Sequence, residues 1–209
     1  MLLTQDQLHK IDVILDKLGL DFLDFKLEVK DHIACQVESI MESKTITFEE
    51  ATLEVLRDWE EKLIPTQGWL MSNGRTFPKM VTKKVTKRFL LYNLALFSMI
   101  GLSVFIFMSL DKNFIERVFE NETFLIFYGL IEALYIVLWG YLHRQNIKTS
   151  YSYQFKQIAV LILMEGFMVF GLNVSITNCM AFFTIIGISP FLFFTFYKHQ
   201  QFIKKYHLV

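Results

Sequence analysis

Two carboxylates stand where chemistry can be done. Glu132 and Glu165 each interrupt a long apolar run, and no Lys or Arg shares either run. A charged side chain at the centre of a membrane span costs roughly 3 kcal/mol on insertion scales, so it faces protein, finds a partner or carries a proton. At about 1.5 Å per residue, Glu132 is expected roughly 16 Å from the inner end of its span and Glu165 roughly 11 Å from that of the next. On antiparallel neighbouring helices the two can meet, and like charges that close force at least one to hold a proton. Asn93, Asn173, Ser98 and Ser103 can supply hydrogen bonds. Two readings follow: a site for a proton or a cationic ligand, as in a sensor or transport element, or protonated acids that glue helices together by hydrogen bonding.

The elements that must position these acids are four stretches, residues 89–110, 124–142, 158–176 and 179–197. Each approaches the roughly 20 apolar residues that a helix needs to cross a bilayer, so the chain reads as an integral membrane protein. Pro190 falls deep in the fourth stretch, where a kink is expected, and Gly129, Gly166, Gly171 and Gly187 allow helices to approach closely. The twenty-two phenylalanines read as lipid-facing and packing residues.

Charge is distributed by region although it sums to zero over the 209 residues. Residues 1–78 carry 8 basic and 15 acidic side chains, whereas residues 79–88 carry five basic side chains and no acid. This neck, Lys79, Lys83, Lys84, Lys87 and Arg88, abuts the first span and is expected to meet anionic lipid. By the positive-inside rule it places the head in the cytoplasm. Arg144, Lys148 and Lys156 after the second span, and Lys198, Lys204 and Lys205 in the tail, agree; Asp111, Glu116, Glu120 and Glu122 mark the loop outside, and the last hairpin is placed near Thr177 and Asn178. Both termini are thus expected in the cytoplasm of a bacterium, with the spans in its inner membrane. The first span doubles as the insertion signal, because no basic stretch followed by an apolar core opens the chain.

The head reads as three helices. Thr4 with Gln7, and Thr47 with Glu50, form capping-box patterns before Leu8, Ile11, Leu15 and Leu18 and before Phe48, Ala51, Val55, Trp59 and Leu63. A middle helix spans about residues 21–42, with Phe25, Ile33, Val37, Ile40 and Met41 inward. Residues 1–64 therefore form a three-helix domain with a core only marginal in isolation, which is expected to lean on a partner, a second copy or the neck. Residues 65–88 read as a linker and neck, with Trp69 and Leu70 dipping into the interface or packing on the head and Asn73-Gly74 as a breaker. From Pro78 a single helix is expected to run into the first span. The fold class is all-α: a cytoplasmic three-helix domain followed by a four-helix transmembrane bundle over residues 89–209.

The run Leu27-Glu28-Val29-Lys30-Asp31-His32-Ile33, followed by Glu38, Met41 and Glu42, then by Thr47-Phe48-Glu49-Glu50-Ala51, resembles the small HAAS-type or permease-prefix helical domain of bacterial membrane proteins. The likeness covers residues 4–63. In that family the domain precedes transmembrane segments and its genes often neighbour a PadR-like transcription regulator. The resemblance implies a cytoplasmic signalling or docking role and carries no catalytic residue across. Trp59 departs from the pattern, standing where a small residue is expected.

An acidic head cannot grip a phosphate backbone, which excludes direct nucleic-acid binding. No nucleophile elbow, P-loop, dinucleotide fingerprint or metalloprotease motif occurs, so no enzyme activity and no cofactor is expected. His9 and His32 occur singly, no CxxC is present, and Cys35 is expected as a buried, reduced thiol that cannot meet Cys179 across the membrane. The function read from the residues is a membrane-tethered regulatory or docking protein, with Glu49, Glu50, Glu54, Asp58, Glu60 and Glu61 facing a basic protein partner and a homo-oligomer as a further possibility. The alternative is an accessory subunit, small transporter or proton-responsive component that uses Glu132 and Glu165.

Overall fold

A computed structural model of the chain describes residues 2–68, 76–172 and 174–208. Among them are eight helices and one pair of two-residue strands. They form two compact units, one comprising the residues up to Arg88 together with Lys148–Ser150, the other Phe89–Ile147 and the residues from Tyr151 onward. The all-α class and the set of long apolar helices are as the sequence predicts.

In the first unit, α1 (Gln5–Lys17) and α3 (Phe48–Leu63) both start on complete capping boxes. Thr4 accepts from the Gln7 amide at 3.3 Å while Gln7 Oε1 accepts from the Thr4 amide at 2.8 Å, and Thr47 and Glu50 repeat the exchange. Between them α2 (Leu23–Lys44) ends on Thr45, whose φ of 54° is left-handed. Ile11 and Leu15 of α1, Phe25, Val29, Ile33, Ala34 and Val37 of α2, and Ala51, Val55, Trp59 and Leu63 of α3 are buried. Trp59 is accommodated by its surroundings: its Nε1 donates to Gln36 Oε1 at 2.7 Å, and its ring stacks on His32. Cys35 corrects the sequence reading, being exposed. Ile33, Ala34 and Val37 take the inward stripe, and two residues beyond Ile33 a helix has turned past half a revolution.

The support that so small a core needs comes from the chain that follows. β1 (Pro65–Thr66) pairs antiparallel with β2 (Phe77–Pro78), with Pro65 opposite Pro78 and Thr66 opposite Phe77. Phe77 stacks on Phe22 at 5.2 Å between ring centroids, and Val81 and Val85, in the first turns of α4 (Lys79–Ser109), are buried. Each such valine contributes about 2 kcal/mol of apolar burial before entropy is counted. The expected contacts of Trp69, Leu70 and Asn73-Gly74 lie outside the described residues. The helix from Lys79 is continuous to Ser109, so neck and first span are one element.

Lys148–Ser150 also belongs to this unit. The Leu23 amide donates to Lys148 O at 2.9 Å. Asp24 Oδ1 accepts from the Ser150 amide at 2.8 Å and its Oδ2 from the Ser150 hydroxyl at 2.5 Å, while Arg88 Nη1 donates to the same hydroxyl oxygen at 2.9 Å. Ser150 is the first residue of α7 (Ser150–Leu172), whose opening amides have no partner within their own helix. Asp24 thus acts as an N-cap supplied from a distant part of the chain.

In the second unit, α4, α6 (Glu122–Gln145), α7 and α8 (Ser175–Lys205) are long and apolar enough to cross a membrane, and the protein is a multi-pass membrane protein. Hydrocarbon offers the backbone no hydrogen bonds, which is why the spans are helical throughout. Large apolar side chains such as Phe97, Phe105, Leu130, Val137 and Phe167 remain exposed on them, as lipid contact demands. Boundaries differ from the sequence reading. The third long helix begins at Ser150 rather than 158, and the fourth at Ser175, so Thr177 and Asn178 lie in its first turn instead of in a hairpin. The cause is a second distant cap: Glu120 Oε1 accepts from the Ser175 amide at 3.1 Å, and Asn178 Nδ2 donates to Phe119 O at 2.7 Å. Both partners flank a short helix absent from the sequence reading, α5 (Lys112–Phe119), which is capped by Asp111 and buries Ile115 and Phe119 with Cys179.

The Asp24 cap yields a test. Burial raises its carboxyl above the usual range, against the opposing effect of the Ser150 hydrogen bonds. A raised acid favours the folded state below the unfolded carboxylate's range, and that contribution fades as pH rises through the folded-state value. Asp24→Ala is expected to cost about 1 kcal/mol and to speed hydrogen exchange at the Ser150 amide, while Asp24→Asn keeps an acceptor and removes this pH dependence of exchange.

Candidate functional site

Within the second unit the helices bring both acids to one level. From the observed helix ends, Glu132 lies roughly 20 Å along α6 from Gln145 and Glu165 roughly 22 Å along α7 from Ser150. The Glu132 carboxyl packs directly on the backbone of Gly166, filling the space that a Cβ there would take. It therefore sits against the turn of α7 that carries Glu165. Only glycine permits this, because any side chain at 166 would collide with the carboxyl.

Around the two acids gather polar groups from every long helix. The Thr184 hydroxyl of α8 lies beside the Glu165 carboxyl, on the wall of the same cavity. Tyr92 of α4 and Tyr128 of α6 both lie within electrostatic reach of Glu165, and Tyr128 of Glu132 as well. Tyr128 is 1% exposed and Tyr92 4%. Four atoms of this cluster, the hydroxyls of Tyr92 and Tyr128, Glu132 Oε1 and Glu165 Oε2, are buried without a hydrogen-bond partner among the described residues. Leaving such groups unmatched costs about 1–3 kcal/mol each.

The hydrogen bonds expected from elsewhere in the spans go to other places. Asn93 Nδ2 donates to Phe89 O at 2.7 Å, the Ser98 hydroxyl to Leu94 O at 2.8 Å and the Ser103 hydroxyl to Ile100 O at 2.7 Å, each satisfying a carbonyl of its own helix. Asn173 lies outside the described residues. Tyr92, Tyr128 and Thr184 take the place of those residues. By its place in the sequence Tyr92 fits an aromatic belt near the inner membrane face, and only its position opposite the acids, with that of Tyr128, distinguishes the two.

A cavity of about 680 Å³ opens beside Glu165, lined also by Tyr92, Thr184, Leu96, Ile100, Val160 and Met164. Farther along α6 and α8, the Gln145 and Gln200 side chains bond one another through both amide groups, at 3.0 and 3.3 Å, and Gln145 Oε1 also meets His199 Nε2 at 3.0 Å. Sequence reading missed this trio because its members lie far apart in the chain. Among the described residues no three His, Cys, Asp or Glu side chains gather as metal ligands would.

On the head, the six acids assigned to docking divide into two groups. Glu49 pairs with Lys10 at 3.0 Å, Glu54 with Lys44 at 2.5 Å and Glu61 with Lys79 at 2.7 Å. Glu50 is engaged in its capping box. The Lys10 contact holds Glu49 below the usual carboxylate range, bonds from Thr47 do the same for Glu50, and the Lys79 contact for Glu61. Asp58 and Glu60 have no hydrogen bond or ion pair among the described residues. Glu60 borders an apolar groove of about 420 Å³ between α1 and α3, lined by Ile14, Leu18, Leu53, Leu56, Arg57 and Ile64. In the neck, Lys79 and Arg88 are engaged as described, and Lys84 pairs with Glu28 at 2.9 Å over the Phe25 ring; Lys83 and Lys87 are exposed.

No family model, no curated protein and no solved structure matches this chain.

The fit of Glu132 on Gly166 is directly testable. Gly166→Ala is expected to displace the carboxyl, the far end of a flexible side chain, and so to shift its infrared band while costing no more than about 1 kcal/mol in the midpoint of unfolding in detergent. Gly171→Ala, where an added Cβ meets nothing within 4 Å, is expected to be neutral.

Proposed function

We propose that the protein is a membrane-tethered docking protein whose helical head binds a protein partner in the cytoplasm. The observation that carries this reading is the groove between α1 and α3. Leu53, 61% exposed, and Ile64 offer apolar surface there, beside Glu60, which has no hydrogen bond or ion pair among the described residues. The complementary partner is an amphipathic helix with a basic edge, which lays its apolar face in the groove and sets a cation against Glu60. Glu49, Glu50, Glu54 and Glu61 are already engaged within the protein, so they shape the local field more than they contact the partner. The resemblance of residues 4–63 to the HAAS-type domain supports a docking role and suggests a small PadR-like transcription regulator as the bound protein. In this reading the bundle is the anchor, lying in a bacterial inner membrane with both termini inside.

The test is co-purification after brief cross-linking in the native membrane, comparing the full chain with Leu53→Lys and with Glu60→Gln. A DNA-binding protein captured by the full chain and lost from both variants is the expected result. Its retention by both would sink the groove as the docking surface.

A second reading is favoured by the four unpartnered oxygens around Glu132 and Glu165: the bundle is a proton- or cation-responsive element, as in a small transporter or accessory subunit. Infrared difference spectra between acid and neutral buffer are then expected to show a carboxyl band that disappears in Glu132→Gln/Glu165→Gln. Identical spectra for that variant and the unaltered protein would reject proton coupling.

A further inference from the structure

We infer that the cavity beside Glu165 is a binding site for a lipophilic amine, which enters from the bilayer and sets its ammonium on the Glu165–Tyr92–Thr184 cluster with its alkyl chain along Leu96, Ile100, Val160 and Met164. The inference rests on the second reading above, in which the two carboxyls act, and it names the class of ligand they hold.

Cavity shape and chemistry select the amine. At about 680 Å³ the space is far larger than a bare cation needs and falls within the range of pockets for drug-sized molecules. Val160 and Met164 on its wall are exposed on the protein surface, so the way in is through lipid. A purely apolar occupant would fill the groove but leave Tyr92, 4% exposed with an unpartnered hydroxyl, and the buried Glu165 Oε2 unanswered. An ammonium brings three N–H donors and a positive charge to a place with acceptors and no Lys or Arg in the surrounding spans. Tyr92 then accepts from the ammonium through its oxygen, Thr184 stands beside the Glu165 carboxyl, and Glu132, seated on Gly166, takes the proton that two neighbouring acids share, which leaves Glu165 charged. An alcohol of the same chain length can make one hydrogen bond and offers no charge. Charged hydrogen bonds contribute about 1.5–3 kcal/mol, so the amine is expected to bind roughly ten- to a hundredfold more tightly than the alcohol.

The experiment uses the full chain in phosphatidylcholine vesicles, with stearylamine and stearyl alcohol carrying a nitroxide on the alkyl chain. Electron paramagnetic resonance separates probe held by protein from probe free in lipid. The expected result is a saturable, immobilised population of the amine, at least tenfold weaker for the alcohol, with Glu165→Gln reducing the amine to the alcohol's level. Ile100→Trp, which fills the apolar end of the cavity without touching the carboxyls, is expected to weaken both probes, and it keeps the test informative should Glu165→Gln misfold. Equal immobilisation of the two probes would show that ordinary acyl chains fill the groove and overturn the inference. Immobilisation of neither would mean that a protein segment covers it, with the same consequence, as would an amine preference that survives in Glu165→Gln. If the inference fails in any of these ways while the infrared carboxyl band persists, proton coupling stands without the amine; if the band is missing too, both readings fall together.

Discussion

Every feature of this protein answers to the cost of a polar group without a partner in an apolar surrounding. Within hydrocarbon the backbone satisfies itself only as helix, and α4, α6, α7 and α8 are the result. Helix ends remain a liability, since the first amides and the last carbonyls cannot be paired internally. Two long helices meet that demand with carboxylates borrowed from elsewhere in the chain, Asp24 at Ser150 and Glu120 at Ser175. Those two caps move the helix starts away from where hydropathy alone would put them.

The head solves a different problem with the same economy of parts. Three short helices with few buried side chains cannot close a durable core, because the surface they bury is small relative to the entropy of ordering them. Phe77, Val81 and Val85 extend that core, and Lys79 and Lys84 pair with acids on α3 and α2. A stretch whose composition resembles a lipid-binding neck is therefore also a structural wall of the head. Glu49, Glu50, Glu54 and Glu61 are internally matched, whereas Glu60, at the Leu53 groove, has no ion pair among the described residues.

The intramembrane cluster runs against the general rule of satisfaction. Glu132, Glu165, Tyr92 and Tyr128 each leave a buried oxygen unmatched, while Asn93, Ser98 and Ser103 quietly satisfy carbonyls of their own helix. Side chains that could have relieved the acids turn away from them, and side chains that surround them stay unsatisfied. Gly166 holds the arrangement by giving the Glu132 carboxyl room against the α7 backbone.

Local sequence by itself determined the features whose physics is local. Capping boxes at Thr4 and Thr47 need only four residues, apolar length marks a span wherever it lies, and a carboxylate within such a span is conspicuous whatever its neighbours. Tertiary structure decided what depends on residues far apart in the chain. Asp24 and Ser150 are separated by more than half the molecule, so no window of sequence reveals that one caps the other. α5 is two-sided, but the charges of its outer face make the stretch read as a loop, and its place depends on Asn178 and Cys179 from the first turns of α8. Cys35 looked inward by composition and lies outward because the helix phase is set by Ile33 and Val37. Tyr92, Tyr128 and Thr184 joined the acids for the same reason: helix rotation and register, set by packing of all four spans, choose which polar side chains share a depth and a face.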